Sequence, residues 1–294
     1  MDPVIFEIIP PPKAWAKERV EGWVESIVKL LETTGINMLN IPEVVAQARE
    51  NRPVPYREKV PVEEFAALIR KRCTTTEIML NHITVRRPFE KFREWFDKRI
   101  SEGYKYFVLV GGESGKISYP GPSVLEAAEW AKSNYPDVKL GGITIFTRKN
   151  EAERIIRKMN AGIEFFVSQI IYETENMKQI LFELEKKIGI NEFPFIYVSL
   201  APVVRNRDIE FIKWLGVEFP TAVLSYFSMD ETKLAEHSCE ILWRIVDEIN
   251  RLKERYGKER IGINFEHVMY NNLEISEVML SQLIKGELSC TDIS

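Results

Sequence analysis

The fold class this sequence predicts is α/β, a single (β/α)8 TIM barrel, and three observations predict it. Short apolar runs alternate with amphipathic helical segments eight times along 294 residues. The apolar runs are continuous rather than alternating, as strands of a parallel sheet buried on both faces must be. Their even spacing favours closure over an open doubly wound sheet. Hydrophobic residues make up 45% of the chain, enough for one large core. No repeat, low-complexity segment or interdomain linker interrupts it, so residues 1–294 are expected to form one catalytic domain.

The elements follow in order. A first strand, Val4 to Ile9, is closed by Pro10-Pro11-Pro12, which fix its exit rigidly. A helix from about Ala14 to Glu32 carries Trp15, Val20, Trp23, Val24, Ile27, Leu30 and Leu31 at helical spacing. The second strand is Ile36 to Ile41, and a proline-bearing loop, Glu43 to Val60, is the longest candidate lid. A helix through Phe65 and Ile69 leads to a third strand, Glu77 to Thr84. The next helix starts near Pro88 and stops at Gly103. The fourth strand is Tyr106 to Val110, and Pro122-Ser123 opens a helix that Tyr135-Pro136 ends. The fifth strand is Lys139 to Ile145, with a helix from Asn150 to Gly162. The sixth is Phe165 to Ile171, with a helix from Glu175 to Ile188. After the seventh, Phe195 to Leu200, come short helices at Arg207 to Leu215 and Ala222 to Phe227. A long helix then spans Asp230 to Tyr256. The eighth strand is Arg260 to Phe265, and a final helix centres on Val278. The apolar stretch from Trp214 to Phe227 reads as core.

Composition excludes several functions. Lys+Arg 40 against Asp+Glu 44 leaves a net charge of −4, not the basic surplus of a nucleic-acid binder. The clusters Arg70-Lys71-Arg72 and Arg86-Arg87 read as solvated helix ends or loops. Three scattered cysteines, Cys73, Cys239 and Cys290, make neither a disulfide framework nor a zinc spacing. No run approaches the length of a membrane span, and Met1 to Pro12 lacks the basic start of a signal peptide. A cytoplasmic protein is expected.

Barrel chemistry happens at the C-terminal ends of the strands. The polar residues there are Glu7, Asn40, Glu43, Asn81, His82, Thr84, Glu113, Ser114, Thr144, Thr147, Gln169, Glu173, Ser199, Asn264, Glu266 and His267. Glu7 interrupts an apolar strand. Burial there raises a carboxyl pKa and suits it to general acid work, although a buried ion pair with a Lys or Arg fits the same position. Glu7 and Glu113 make a possible carboxylate pair. Gly111-Gly112 would let a ligand approach the backbone before Glu113. The run Gly111 to Lys116 is too short for a phosphate loop, and Ile117 stands where a magnesium-binding hydroxyl belongs. Gln169 offers both a donor and an acceptor to a heterocycle, or to barrel-core backbone. These residues alone imply an enzyme that binds a polar heterocycle.

Several segments resemble the methylenetetrahydrofolate reductases, flavin-containing (β/α)8 barrels, along nearly the whole chain. Lys158-Met-Asn-Ala-Gly-Ile-Glu-Phe-Phe-Val-Ser-Gln169 is similar to that family's K-x-D-A-G-A-x-F-x-x-T-Q. Phe6-Glu7-Ile-Ile-Pro-Pro resembles F-E-x-x-P-P, and Asn81-His82-Ile-Thr84 resembles P-H-L-T. The resemblance implies that Glu7 is the general acid that opens the five-membered ring of a methylene pterin. It implies that Gln169 and Glu113 contact the substrate, and that His82, Gly112, Arg157 and Lys158 approach FAD. The implied reaction reduces 5,10-methylenetetrahydrofolate to its 5-methyl form with hydride from NAD(P)H through flavin. The departures cluster at the flavin end. Arg-Gly-Asp is replaced by Gly111-Gly112-Glu113, and the aromatic and histidine after the fifth strand are missing around Ile143 to Thr147. The second strand runs into Asn40-Ile-Pro-Glu43, and the family's arginine after the eighth strand has at most Asn272 in its place. A flavin-independent reductase, a pterin-dependent methyl-transfer protein and a partner-dependent non-catalytic subunit stay open beside the flavoprotein. A homo-oligomer stays open too.

Overall fold

Eight parallel strands pair in sequence order, and the last closes on the first. They are β1 (Val4–Ile8), β2 (Met38–Ile41), β3 (Glu77–Ile83), β4 (Tyr106–Val110), β5 (Lys139–Thr144), β6 (Phe165–Ser168), β7 (Phe195–Leu200) and β8 (Ile261–His267). The computed structural model describes residues 3–47, 49–113 and 117–290. The expected (β/α)8 barrel is the observed fold.

The helices form the outer ring: α1 (Lys17–Thr34), α2 (Val62–Arg70), α3 (Phe89–Ser101), α4 (Val124–Asn134), α5 (Glu151–Asn160), α6 (Glu175–Ile188), α7 (Asn206–Trp214), α8 (Thr221–Phe227), α9 (Leu234–Tyr256) and α10 (Leu273–Lys285). Each turns an apolar stripe toward the sheet. On α1 the stripe is Val24, Ile27, Leu30 and Leu31, all buried, and Gly35 at φ 71° ends the helix in the left-handed region. No helix among the described residues is long and apolar enough to cross a membrane.

Strand periodicity divides the core in two. Outward residues, such as Phe6, Leu39, Leu80, Phe107, Phe166, Val198 and Phe265, join the layer between sheet and helices. Inward residues fill the barrel: Ile5, Met38, Met79, Val108, Phe165, Val167 and Tyr197. Two strand glycines make room for the large rings. A Cβ on Gly141 would run into the Phe165 ring, and one on Gly262 would lie 2.8 Å from Phe195 and 2.9 Å from Tyr197. The floor of the barrel is therefore apolar and filled, so a ligand can enter only from the other end.

Most strand bounds match the sequence reading within a residue or two, and three differences matter. The sixth strand stops at Ser168, so Gln169 lies just past it. The second is shorter, beginning at Met38. The eighth runs on to His267, which brings Glu266 into the sheet beside Glu7. The stretch from Trp214 to Phe227 is core in part: Val217, Val223 and Phe227 are buried and Phe219 stacks on Tyr172.

The segment from Pro42 to Pro61 is strapped down at both sides. Pro12 and Lys59 form an antiparallel bridge, and Val60 N–H donates to Pro11 C=O at 2.9 Å. On the far side Arg49 donates to the Trp214 carbonyl (2.8 Å), and Trp214 Nε1 donates to the Glu50 carbonyl (2.9 Å). The Arg52 guanidinium lies over Tyr56, Phe211 and Trp214. The candidate lid thus ties the β1 and β2 exits to α7.

Candidate active site

Two residues above the apolar floor, the inward side of the barrel turns polar. The step of two along each strand makes this unavoidable. Ile5 is followed inward by Glu7, Met38 by Asn40, Met79 by Asn81, and Tyr197 by Ser199. Gly262 is followed by Asn264 and then Glu266. Strands β8, β1, β2 and β3 are neighbours, so their polar groups form one patch on a single side of the mouth.

Glu7 is the centre of that patch. Asn40 Nδ2 donates to its Oε2 at 2.6 Å and Asn264 Nδ2 donates to the same oxygen at 2.9 Å. No Lys or Arg forms an ion pair with Glu7 among the described residues, so the ion-pair reading of this position falls. The carboxyl is partly buried among these strands, and burial pushes its pKa from 4.5 up to about 7, against the pull of the Asn264 and Asn40 hydrogen bonds.

The carboxylate beside Glu7 is Glu266, not Glu113. Glu266 lies directly opposite Glu7 in the β1–β8 register. Asn264 Nδ2 also reaches Glu266 Oε1 at 3.3 Å and Ser199 Oγ at 2.9 Å. Burial, and then the charge of Glu7, raise the Glu266 pKa well above the usual carboxylate range. Asn40, Asn81 and Asn264 each bury a carboxamide oxygen that finds no donor among the described residues. An unmet buried acceptor costs about 1–3 kcal/mol, so these amides make the patch a costly one to bury.

The other expected site residues do not join this patch. Glu113 pairs with Arg86 at 3.7 Å beyond β4, and Ser114 lies outside the described residues. Gln169 donates from Nε2 to the Leu215 carbonyl at 3.2 Å. It lines a separate cavity of about 430 Å³ with Phe146, Tyr172, Glu173 and Phe219. His82 points outward from β3, stacks on Trp95 with centroids 4.1 Å apart, and is 2% exposed. Its Nδ1 lies 3.1 Å from Glu43 Oε2, which also accepts from Ile83 N–H at 2.7 Å. Burial opposes it, yet these hydrogen bonds hold the Glu43 carboxyl below its ordinary range.

Gly112 makes room for the Tyr119 ring, whose hydroxyl accepts from Glu113 N–H at 3.1 Å. Arg157 is exposed on α5. Lys158 lies between α5 and β5 and donates to the Ile143 carbonyl at 2.5 Å, with its pKa drawn down to about 8 chiefly by burial. These four positions, His82, Gly112, Arg157 and Lys158, do not converge on one cradle. Among the described residues no His, Cys, Asp and Glu cluster could hold a metal ion.

No protein-family model matches the chain, and no curated protein matches its sequence. Solved structures do match. An uncharacterized protein from Clostridium thermocellum that binds two copies of 5-methyl-5,6,7,8-tetrahydrofolic acid superposes with TM-score 0.80 at 21% identity, over 96% of this chain and 95% of that one. At that identity the likeness is one of fold. The active domain of a thermostable chitinase from Pyrococcus furiosus matches at TM-score 0.46 and 13% identity, over 70% of this chain and 75% of its own. That is too distant to compare sites.

Proposed function

We propose that this chain binds a reduced pterin of the folate class at the barrel mouth and reduces its 5,10-methylene form to the 5-methyl form, with Glu7 as general acid and NAD(P)H as the hydride source. The observation that carries the reading is Glu7 itself. It is a carboxyl with no ion-paired cation among the described residues, held by two amides at the C-terminal end of the barrel strands, with its pKa raised to about 7. Three further lines support it. The segment Phe6 to Pro11 resembles the reductase motif whose glutamate has this role. The partly exposed Glu7 and Glu266 carboxyls, backed by Asn40 and Asn264, suit the ring N–H groups of a reduced pterin. A protein of the same fold binds a methylated tetrahydrofolate.

In this reading the neutral Glu7 gives its proton to the nitrogen that bridges the methylene carbon to the side-chain half of the substrate. The carbon–nitrogen bond breaks, and its electron pair stays with the protonated nitrogen. The methylene carbon, now an iminium on the other nitrogen, accepts hydride and becomes the methyl group. One proton and one NAD(P)H are consumed per turnover. A group that gives up a proton near neutrality, without a cation to stabilise its charge beforehand, is matched to this step.

Flavin, which the resemblance implies, has no matching cradle among the carried-over positions. His82 is closed off by Trp95, Gly112 is filled by Tyr119, and Lys158 is engaged by Ile143. Direct transfer from the nicotinamide is the route these residues favour.

The test is NADH or NADPH oxidation by the purified protein with 5,10-methylenetetrahydrofolate, with and without added FAD or FMN, in parallel with Glu7→Gln. Pyridine nucleotide oxidation without flavin, lost in Glu7→Gln while pterin binding persists, is the expected result. Turnover only with flavin would restore the flavoprotein route. Binding without reduction under any condition would overturn the reductase reading in favour of methyl transfer or a non-catalytic role.

A further inference from the structure

We propose that Glu266 is a positioning residue for Glu7: the two carboxyl groups hang from one amide and cannot both ionise at neutral pH, so that Glu266 resists the ionisation of Glu7. This rests on the general-acid reading of Glu7. It adds to that reading a residue to which the sequence resemblance gives no role.

The geometry comes from barrel closure. Glu7 and Glu266 are register partners on adjacent strands and both point inward. Hydrogen-bonded strands lie about 4.8 Å apart, which brings two inward carboxyl groups within reach of each other and of one donor. That donor is Asn264 Nδ2. Its two hydrogens face three acceptors: Glu7 Oε2 at 2.9 Å, Ser199 Oγ at 2.9 Å and Glu266 Oε1 at 3.3 Å. Asn40 adds one more bond, to Glu7 at 2.6 Å.

The other charged and titratable neighbours do not relieve the pair. Toward Glu266 from the β6 side lies the Tyr172 phenol, itself bonded to the Ala201 carbonyl, with Asp208 beyond it. His267 is on the opposite face of β8, against Phe6 and Trp23. No Lys or Arg forms an ion pair with either carboxyl among the described residues. The Asn40 and Asn264 amides and the Ser199 hydroxyl are neutral donors and cannot offset two full negative charges that repel each other, so at least one proton stays. After Glu7 has protonated the substrate, the charge of Glu266 also favours its prompt reprotonation from solvent.

Glu266→Gln tests this. It keeps the shape and removes the charge. A general acid works in its protonated form, so activity falls as pH rises through its pKa. In the variant this alkaline limb of kcat/KM is expected to move down by about one pH unit or more, the size of a like-charge effect at close range. Turnover at pH 8 would then fall about tenfold and turnover at pH 6 only about twofold. Glu266→Asp, which restores the charge, should recover the limb.

Infrared titration of the protonated-carboxyl band gives a readout without turnover. The wild type should retain at least one such proton at pH 7 beyond the exposed carboxyls, and Glu266→Gln should release its Glu7 proton at lower pH. An unmoved alkaline limb together with an unmoved infrared titration would overturn the proposal. Should Glu266→Gln fold poorly, Glu266→Met provides the same charge removal. If reductase activity is absent altogether, the infrared titration still decides the dyad, so its failure and the failure of the reductase reading are separable.

Discussion

Glu7→Gln should make the protein more stable and far less active. The size of the stability gain follows from the site. Burial raises the Glu7 pKa from 4.5 to about 7 in the folded protein. Between those values the unfolded chain has lost a proton that the folded chain keeps, so stability falls as pH rises and the full penalty is present above pH 7. At about 1.4 kcal/mol per unit of pH, that penalty amounts to about 3 kcal/mol. Glutamine never ionises. Its Oε1 can accept from Asn40 and Asn264 as Glu7 Oε2 does. Urea unfolding at pH 8 should therefore show the variant more stable by about 2–3 kcal/mol, the difference shrinking to under about 1 kcal/mol near pH 4.5, where the folded carboxyl is protonated and the unfolded one about half so. Turnover should drop by about 10²–10⁴, the range for loss of a general acid, with pterin affinity held within a fewfold. A variant less stable than wild type at pH 8, or a difference that does not depend on pH, would refute the account of Glu7 as a strained, desolvated acid. Normal turnover would remove it from the mechanism.

Other expectations follow from the same structure. Asn264→Ala withdraws the shared donor and should cost about 1–3 kcal/mol in urea unfolding, while raising the alkaline limb of activity because a bond to the ionised Glu7 is gone. Gly141→Ala forces a methyl into the Phe165 ring on the barrel floor and should destabilise by about 1–3 kcal/mol, read from the thermal midpoint, without shifting the pH profile. Arg52→Ala releases the guanidinium from Tyr56, Phe211 and Trp214, and limited proteolysis should then cut between residues 42 and 61 sooner than in the wild type. Among the thiols, Cys239 is fully buried with its pKa pushed up by burial, so a thiol reagent should label the partly exposed Cys290 first and reach Cys239 only on unfolding.

The sequence by itself determined the barrel and the position of Glu7. Eight continuous apolar runs cannot be satisfied except by a sheet covered on both faces, and a charge inside such a run stands out because nothing local explains it. The polar identities of Asn40, Asn81, Ser199, Asn264 and Glu266 were legible too, each at a strand end. What remained open was which way each side chain turns and which strand it meets. His82 carries a motif's chemistry, yet sits one residue out of phase with the inward face and stacks on Trp95 in the helix layer. Gln169 falls just past its strand and binds the Leu215 carbonyl at a second cavity. The partner of Glu7 was invisible for a topological reason. Glu266 is 259 positions further along the chain, and only closure of β8 onto β1 makes the two carboxyls neighbours. A one-residue step reverses the face of a strand, and closure joins the ends of the sequence; neither is a local property, so only the tertiary structure could turn a lone glutamate into half of a carboxyl pair.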